Sequence, residues 1–408
     1  MFDSSPSVLV GLEIGTSKIC AVVGEVSDDN VVNIIGVGQH PSTGVRKGEI
    51  VDSAAAAADI RAALSQAEEH ADVEIRSVVL GVTGAHIHGF NNHGQHPIVS
   101  ADRLICADDV LDVVKNAKAT GLPAEHCVLH TIRQHFTVDG QHGIVSPVDM
   151  VGAKLEVDMH VVHAHYNRLQ NPVNVLEGMQ IQLQGAPVFN GLASALSALD
   201  IEQKDSGAVV LDLGAGTTEF VVYSQGVVRH LGVLAVGGDH VTNDLAYGLK
   251  VPQARAEALK LAHGCAVVEP SARGKTIALT SESGHAGRDI HVEHLQRVMS
   301  ARLEETFQLI AAELDKERLL DHLGAGVVLV GGGAHIPRIH ELAERVFQVR
   351  VSPRHTHTVN GVKTVLDAPE FTTAIGLVKY GSMQAQRAEP GGWFVRVFGE
   401  TFGALLGR

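Results

Sequence analysis

Two stretches of the chain share one order of hydrophobic and polar positions. Residues 8–12 and 209–213 are short, nearly uninterrupted hydrophobic runs, and each is followed by a glycine-containing turn. A second hydrophobic run follows each turn, at residues 19–23 and 220–223. Runs of this length and composition are typical of strands buried on both faces in an α/β sheet. The pattern therefore predicts two β-hairpins, one in each half of the chain.

Both turns carry groups that suit phosphate oxygens. Glycine accepts positive φ and lets backbone N–H groups approach a ligand closely, and hydroxyl side chains add donors. The candidate phosphate-binding residues are Gly15, Thr16, Ser17, Gly214, Gly216, Thr217 and Thr218. Glu13 and Asp212 precede the turns, where a carboxylate can hold Mg²⁺ through its waters or orient an attacking water, and Asp212 is the candidate for the second role. One such turn alone could be an ordinary hairpin, but the duplication favours a phosphate-bearing ligand between two related halves.

Helices are predicted between the strands. One begins at Asp52 or Ser53 and runs through an alanine-rich segment to about residue 67. A buried strand is predicted at residues 78–82. The composition then changes, and from residue 85 to 162 glycine, asparagine and histidine are frequent, the predicted strands are shorter, and one clear helix spans 108–119. We interpret this segment as an inserted subdomain.

The second half repeats the same logic. Gly237 and Gly238 open a helix, and further helices are predicted around residues 254–263 and 292–318. A strand at 327–330 is followed by the glycine triplet Gly331, Gly332 and Gly333. A strand, a glycine-rich turn and a helix N-terminus form a suitable wall for a nucleotide's base and sugar, because glycine permits close approach.

Composition excludes several classes of protein. A chain of 408 residues exceeds the size at which a single core stops growing, so two or more domains are expected. The formal net charge of −14, with no lysine- or arginine-rich block, repels nucleic-acid phosphates. The charge therefore argues against nucleic acid as a partner. No hydrophobic run approaches the roughly 20 residues of a membrane-spanning helix. The four widely spaced cysteines predict free thiols and a cytosolic protein.

Motifs for other chemistries are incomplete. Gly274-Lys275-Thr276 resembles the end of a P-loop, but Glu269 stands where that motif needs glycine. Neither the dinucleotide-binding glycine motif nor a Gly-x-Ser-x-Gly elbow occurs, which argues against dehydrogenases and α/β-hydrolases. Histidines alternate at positions 86 and 88, 163 and 165, and 355 and 357, but no Cys, Asp or Glu completes a ligand set. We therefore predict no directly bound metal.

The last sixteen residues form a second functional signal. At 100° per residue, most of the large hydrophobic side chains fall on one arc, and Arg396, Glu400 and three glycines fall opposite. Concentrating three phenylalanines and the only tryptophan here, behind a polar stretch, favours insertion at a membrane interface, with docking on the protein's own core as the alternative. The candidate membrane residues are Trp393, Phe394, Val397, Phe398, Phe402, Leu405 and Leu406.

Six segments carry a resemblance to a known family. They are GLEIGTSK (11–18), NIIGVG (33–38), KGEIVD (47–52), DLGAGTT (212–218), VGGDHVTNDLAYGL (236–249) and AIGL (374–377). With these segments the chain closely resembles the FtsA family of bacterial cell-division proteins, within the actin, Hsp70 and sugar-kinase superfamily. The segment at 236–249 is far more specific than the hairpins, which the whole superfamily shares.

The resemblance implies a fold and a set of roles. It implies an actin-like α/β fold with two duplicated domains, ATP and Mg²⁺ as ligands, Lys18 as part of the first phosphate loop and residues 331–334 as the adenosine motif. It places Gly237 and Gly238 at the nucleotide, and Glu257 and Lys260 beside the ribose and base. Arg302 and Glu305 would receive the C-terminal tail of the tubulin-like protein FtsZ.

The implied partners are FtsZ, copies of the chain itself, lipids on the cytoplasmic side of the inner membrane at the division septum, and later division proteins. The domain boundaries follow from both arguments. We predict the first actin-like subdomain at 1–84 and 163–200, the FtsA-specific insert at 85–162, the second actin-like subdomain at 201–240 and 324–382, its FtsZ-docking insert at 241–323, a linker at 383–392 and the membrane-targeting helix at 393–408.

Departures from the family pattern concern hydrolysis. Glu219 stands where an aspartate is common, and Arg133 replaces a usual proline. Attack on a γ-phosphate needs a finely placed group, whereas binding needs only the backbone turns. We therefore predict an ATP-binding protein with weak or no ATPase activity, in which ATP is mainly a structural ligand. A pilus-assembly adaptor of the same fold and a sugar or acetate kinase remain as alternatives.

Overall fold

A computed structural model provides the three-dimensional description of the chain. It describes residues 7–27, 31–279, 288–352, 359–361, 365 and 367–388. In these residues the strands, numbered in chain order, are β1 (Ser7–Ile14), β2 (Lys18–Val26), β3 (Val32–Pro41), β4 (Val45–Arg46), β5 (Glu49–Ile50), β6 (Ser77–Val82), β7 (Ile87–Pro97), β8 (His126–Val138), β9 (Gln141–Ile144), β10 (Lys154–His165), β11 (Gln182–Leu183), β12 (Val188–Phe189), β13 (Ala208–Leu213), β14 (Thr218–Ser224), β15 (Val227–Leu234), β16 (Thr276–Leu279), β17 (Arg288–His291), β18 (Gly326–Val330), β19 (Val351–Ser352) and β20 (Val359–Gly361).

The α-helices lie between and beside these strands. In the described residues they are α1 (Ser53–Ala71), α2 (Ala107–Lys118), α3 (Tyr166–Gly178), α4 (Asn190–Ala198), α5 (Ile201–Ser206), α6 (Gly238–Leu249), α7 (Gln253–His263), α8 (Val292–Lys316), α9 (Ile339–Phe347) and α10 (Thr372–Ala388). The predicted cap of α1 is confirmed, because the Asp52 side chain accepts hydrogen bonds from the backbone N–H groups of Ala54 and Ala55.

Two sheets repeat one arrangement. In the first, the order is β11-β6-β1-β2-β3-β20, with β12 also paired to β6. In the second, the order is β15-β14-β13-β18-β19. Both contain a hairpin (β1–β2 or β13–β14) whose first strand pairs in parallel with a later strand, β6 or β18. The duplicated α/β architecture predicted from the hydrophobic runs is therefore confirmed.

Helices cover both faces of the first sheet. Helix α1 packs on β3 and β2, and α10 packs on β1 and β2. Ile60 and Leu64 of α1 are buried together with Leu12 and Ile19, whereas Val378 of α10 belongs to the core on the other face. Burial on both faces explains why β1 reads as a continuous hydrophobic run rather than an alternating one.

The segment after β6 forms a subdomain of its own. Its antiparallel sheet has the order β7-β10-β8-β9, and α2 packs against β7 and β10 over a separate core. The expectation of shorter strands here is wrong, since β7, β8 and β10 contain 11, 13 and 12 residues. The reason is visible in β8, where every second residue from 130 to 138 is buried. Two of these buried positions hold the polar residues His130 and Gln134, and the others hold Ile132, Phe136 and Val138. Polar side chains on the buried face interrupt the hydrophobic alternation that marks a strand.

The C-terminal part of the chain differs from the prediction in one respect. Helix α10 continues to Ala388, so the first six residues of the predicted 383–392 linker are helical. Met383, Gln384, Ala385 and Gln386 are good helix formers, which explains the extension. The predicted membrane-targeting helix at 393–408 lies outside the described residues. Among the helices that the structure does describe, none is long and apolar enough to cross a membrane.

Candidate nucleotide-binding site

A cavity of about 530 Å³ lies between the two halves of the molecule. Both predicted phosphate hairpins line it, as do the predicted residues of the base and sugar wall. The predicted residues in its lining are Glu13, Gly15, Thr16, Ser17, Lys18, Asp212, Gly214, Gly216, Thr217, Gly238, Glu257, Lys260, Gly331, Gly332 and Gly333. The volume falls within the range usual for small-molecule sites.

The two hairpin turns have the same backbone geometry. In the first, Gly15 N–H donates to Lys18 O at 3.1 Å, and in the second Gly214 N–H donates to Thr217 O at 3.0 Å. A Cβ atom at Gly15 or Gly214 would lie within 2.7 or 2.8 Å of that same carbonyl oxygen. A side chain at either position would therefore force its own turn to shift.

The loops of the two halves touch across the cavity. A Cβ atom at Gly216 would overlap Thr16 Oγ1 and would lie 2.7 Å from the Cα atom of Lys47. Thr16 Oγ1 in turn accepts a hydrogen bond from Gly48 N–H at 2.8 Å. The two halves are thus in contact at the point where phosphates are expected.

Three carboxylates line the floor of the cavity. Asp212 Oδ2 accepts hydrogen bonds from Ser194 Oγ at 2.6 Å and Thr373 Oγ1 at 2.8 Å. The pKa of Glu13 is raised to about 8, mainly by burial and in second place by the negative charge of Asp212. The same two causes raise the pKa of Glu219 well above its ordinary value. Gathering acidic groups in a buried site favours their protonated forms until a cation arrives.

Glu219, which the sequence analysis noted only as a departure from the family pattern, is a residue of this cavity. Its side chain is buried, lines the cavity and accepts a hydrogen bond from Thr83 Oγ1. Glu219 lies directly opposite Asp212 in the β13–β14 register. Side chains of directly opposed residues share one face of a hairpin. Pairing the residues on the two sides of the glycine turn would therefore have placed Glu219 beside Asp212.

The end of the cavity away from the hairpin turns is lined by both polar and apolar side chains. On α7, Lys260 Nζ lies 2.7 Å from Glu257 Oε2 and donates to Gly238 O and Thr242 Oγ1 at 3.2 and 2.9 Å. Apolar surface comes from Leu261, Met299, Ile336 and Pro337. This end offers a polar edge that suits a ribose and an apolar slot that suits a flat base.

Gly331 connects this wall to the second hairpin. It has a φ of 79°, and a Cβ atom there would overlap Asp212 Oδ1. The sequence prediction that glycine permits close approach therefore applies directly at this position. Nearby, His335 Nε2 lies 2.6 Å from Glu370 Oε2, a pair at the cavity that the sequence did not reveal.

Two predicted site residues do not line the cavity. Thr218 is buried and its Oγ1 donates to Val236 O at 2.8 Å, which holds the loop that leads to α6. Gly237 packs against the backbone of Ala215. Both lie directly behind the second phosphate loop and support it.

The predicted partner-binding residues lie on α8, away from the cavity. Arg302 is held by Asp244 of α6, with Nε–Oδ2 and Nη2–Oδ1 distances of 2.5 and 3.2 Å, and it also pairs with Glu305. Its side chain is 28% exposed. The pair of carboxylates raises the pKa of Arg302 and fixes the direction of its side chain.

The alternate histidines form a cluster without a metal-like arrangement. His126 Nδ1 and His163 Nδ1 lie 2.9 Å apart, and the ring of His88 is 5.7 Å from that of His163. In the part of the chain that the structure describes, no group of three or more His, Cys, Asp or Glu is placed to hold a metal ion. His355 and His357 lie outside that part.

Comparison with known proteins decides the family. A family model described as cell division protein FtsA matches residues 209–376, and a model of the SHS2 domain inserted in FtsA matches residues 84–163. The FtsA protein of Pseudomonas aeruginosa is 35% identical over 377 residues, covering 92% of this chain and 90% of that protein. The FtsA protein of Escherichia coli K12 is 36% identical over 381 residues, with coverage of 92% and 90%. The chain belongs to the FtsA family.

Solved structures place the FtsA-family chain within the actin-like fold. The PilM-PilN type IV pilus biogenesis complex superposes with a TM-score of 0.63 at 19% identity, covering 92% of this chain and 98% of that one. MreB5 of Spiroplasma citri bound to ADP has a TM-score of 0.58 at 16% identity, covering 94% and 99%. The family assignment identifies an actin-like cell-division protein, and the SHS2 match coincides with the subdomain of β7–β10 and α2.

Proposed function

We propose that the chain is an ATP-binding cell-division adaptor that tethers FtsZ filaments to the cytoplasmic face of the inner membrane at the septum. It assembles with copies of itself and helps to recruit later division proteins. The observation that carries this proposal is the pair of equivalent glycine hairpins facing one cavity in a member of the FtsA family. MreB5, which has the same fold, was solved with ADP and with AMPPNP, and this supports a nucleotide in the cavity.

The residues of the cavity floor fit Mg²⁺. Glu13 Oε2 is buried and has no hydrogen-bond partner among the described residues, and Asp212 lies beside it as a second oxygen donor. Mg²⁺ prefers one or two carboxylates, waters and substrate phosphates, and when bound it supplies neutralisation of phosphate charge. Glu13 and Asp212 would hold the ion through its waters.

ATP is mainly a structural ligand in this proposal. The oxygen Oδ2 of Asp212, the candidate for orienting water, already accepts two hydroxyl hydrogen bonds. Glu219 is likewise engaged by Thr83. ATP that contacts both hairpins binds the closed arrangement of the halves better than an open one, and this differential affinity shifts the population toward closure. Closed protomers then assemble with one another.

The adaptor role rests on two surfaces. The first is the face of α6 and α8 around Arg302 and Glu305, where the fixed guanidinium suits a carboxylate of the FtsZ tail. The second is the predicted amphipathic helix at residues 393–408, outside the described residues. Together they would link a filament to a lipid surface.

Co-sedimentation with liposomes and FtsZ, with and without ATP, tests the membrane surface. We expect the intact chain to carry FtsZ into the pellet. Phe398→Glu should lower partitioning at least about tenfold, because burying one such side chain contributes roughly 1.5–3 kcal/mol and 1.4 kcal/mol is tenfold. Gly403→Glu adds the same charge on the predicted polar face and should bind normally. Equal behaviour of the two variants, or an intact chain that stays in the supernatant, would contradict the anchor.

The same assay tests the FtsZ surface. Arg302→Met should release FtsZ from the pellet while the chain itself remains on the liposomes. Arg297→Met is the matched control, since Arg297 lies on the same helix and pairs only at the surface with Glu293 at 2.7 Å. If both variants retain FtsZ equally, the tail binds elsewhere.

A further inference from the structure

A small hairpin that the proposed function does not use lies against the phosphate loops. Strands β4 and β5 pair with Val45 opposite Ile50 and Arg46 opposite Glu49, which leaves Lys47 and Gly48 as a two-residue turn. Both have positive φ, 52° and 75°. Two consecutive positive φ values are characteristic of the tight type I′ turn, so the tip has a well-defined shape.

The tip of this hairpin contacts the phosphate loops of both halves. Gly48 N–H donates to Thr16 Oγ1 of the first loop at 2.8 Å. The backbone of Lys47 covers Gly216 of the second loop so closely that a Cβ atom there would lie 2.7 Å from the Lys47 Cα atom. A ligand that displaces either loop must therefore also act on the hairpin tip.

Thr83 joins the hairpin to the second half. A Cβ atom at Gly48 would lie 2.6 Å from Thr83 Cγ2, so the two residues are packed tightly. The hydroxyl of the same residue donates to Glu219 of β14. Thr83 is the residue immediately before the segment of 84–163, called the insert from here on.

Glu49, the residue next to the tip, contacts both connections of the insert. Glu49 Oε1 accepts from Arg168 Nη1 at 3.0 Å, and Arg168 lies on α3, which directly follows the last insert strand β10. At the first connection, a Cβ atom at Gly84 would lie 3.3 Å from Glu49 Cγ, and His86 Nδ1 lies 4.0 Å from Glu49 Oε1. The hairpin thus connects the phosphate loops to the two points where the insert is attached.

We propose that the hairpin of residues 45–50, together with Thr83, couples the occupancy of the phosphate site to the position of the insert. The inference rests on the proposed nucleotide binding. A phosphate that accepts a hydrogen bond from the Thr16 hydroxyl fixes the rotamer of Thr16, and Gly48 N–H, which donates to the same oxygen, must follow the position that this oxygen takes. Glu49 transmits that movement to Arg168 and Gly84. The two arrangements differ in their affinity for the nucleotide, which is the physical requirement for coupling.

Hydrogen–deuterium exchange of the full chain, with and without Mg-ATP, tests the coupling. We expect ATP to change exchange in peptides covering 45–50 and also in those covering 84–92 and 160–168 at the insert connections. In Glu49→Gln the hairpin peptide should still respond, whereas the response at the connections should fall roughly two- to fivefold, the scale of a partly exposed ion pair. The charge swap Glu49→Arg with Arg168→Glu should restore the response.

The control variant and a binding measurement separate the outcomes. Glu74→Gln breaks an exposed ion pair of the same type, with Arg76 at 2.7 Å, and should leave the exchange pattern unchanged. Equilibrium dialysis with ATP is run on every variant. If ATP binds but the connections do not respond, or if they respond fully in Glu49→Gln, the coupling is overturned. If ATP does not bind the unaltered chain, the proposed nucleotide function itself fails, and the inference falls with it.

Discussion

The two phosphate hairpins have the same turn but different surroundings for their acidic residue. In the first hairpin, Glu13 lies opposite Cys20, whose thiol is buried with its pKa raised to about 12 by burial. In the second, Asp212 lies opposite Glu219. The first hairpin therefore presents one acid against an uncharged neighbour, and the second presents a pair of acids. The two hairpins share one turn geometry, whereas the acidic side chains are concentrated on the second hairpin.

The largest expected effect on ATP affinity comes from replacing one glycine of each turn with alanine. Gly216→Ala introduces a methyl group against Thr16 and Lys47 of the other half, whereas the nearest atom to the methyl group of Gly15→Ala is Lys18 O of its own loop, at 2.7 Å. We expect Gly216→Ala to weaken ATP binding about 10- to 100-fold, because overpacking typically costs ~1–3 kcal/mol and 1.4 kcal/mol is tenfold. Calorimetric titration with Mg-ATP measures this.

Gly15→Ala should have the smaller effect, because its own turn can shift without separating the halves. Gly121→Ala is the control substitution, since a Cβ atom there would meet no atom of the described residues within 4 Å. A weaker effect of Gly216→Ala than of Gly15→Ala would mean that contact between the halves is not what limits binding.

A smaller effect is expected when the acidic residue of either hairpin, Asp212 or Glu13, is neutralised. Asp212→Asn keeps an acceptor for the Ser194 and Thr373 hydroxyls but removes the charge. We expect it to reduce the gain in ATP affinity on adding Mg²⁺ by about tenfold, the scale of one charged hydrogen bond. Glu13→Gln should reduce it less, because the raised pKa of Glu13 means that ionisation must first be driven by the cation. ATP titrations with and without Mg²⁺ decide the order, and the reverse order would rule out this assignment of roles.

The smallest effect is a pH dependence of the nucleotide-free protein. The pKa of Glu13 rises from 4.5 to about 8 on folding. Between these values the folded state holds a proton that the unfolded state has lost, so stability falls as pH rises through this window and levels off above about 8. From pH 6.5 to 8 the thermal midpoint should fall further in the unaltered chain than in Glu13→Gln. The difference should be a few degrees, since about 1 kcal/mol corresponds to roughly 2–4 °C in a large domain.

Between pH 6.5 and 8 the buried histidines do not oppose the effect of Glu13 on stability. Burial lowers the pKa of His130 to about 4 and of His160 to about 3, and these residues destabilise the fold only as pH falls below about 6.5. Glu219 acts in the same direction as Glu13 and is present in both proteins. Parallel curves for the two proteins between pH 6.5 and 8 would show that Glu13 is ionised in the folded state.

The sequence was sufficient where local pattern and burial agree. The twin hairpins, the cap at Asp52 and the glycine triplet at 331–333 each carry their signal in adjacent residues. Thr83 and Glu219 could not be paired from the sequence, because they are 136 residues apart and meet only once both halves have folded. The strands of the insert were misjudged because polar side chains such as Gln134 occupy buried positions.

The insert begins and ends at one place on the molecule. Its first strand, β7, and its last strand, β10, are hydrogen-bonded neighbours, with Ile87 opposite Ala164. A segment whose two ends are adjacent can be gained or lost by a host domain without separating the strands on either side. The same geometry makes the insert a natural unit for transplantation. The excised subdomain would retain its own core of Ile105, Phe136 and Leu155, whereas Ile87 and Val162 at its base pack in the core of the host.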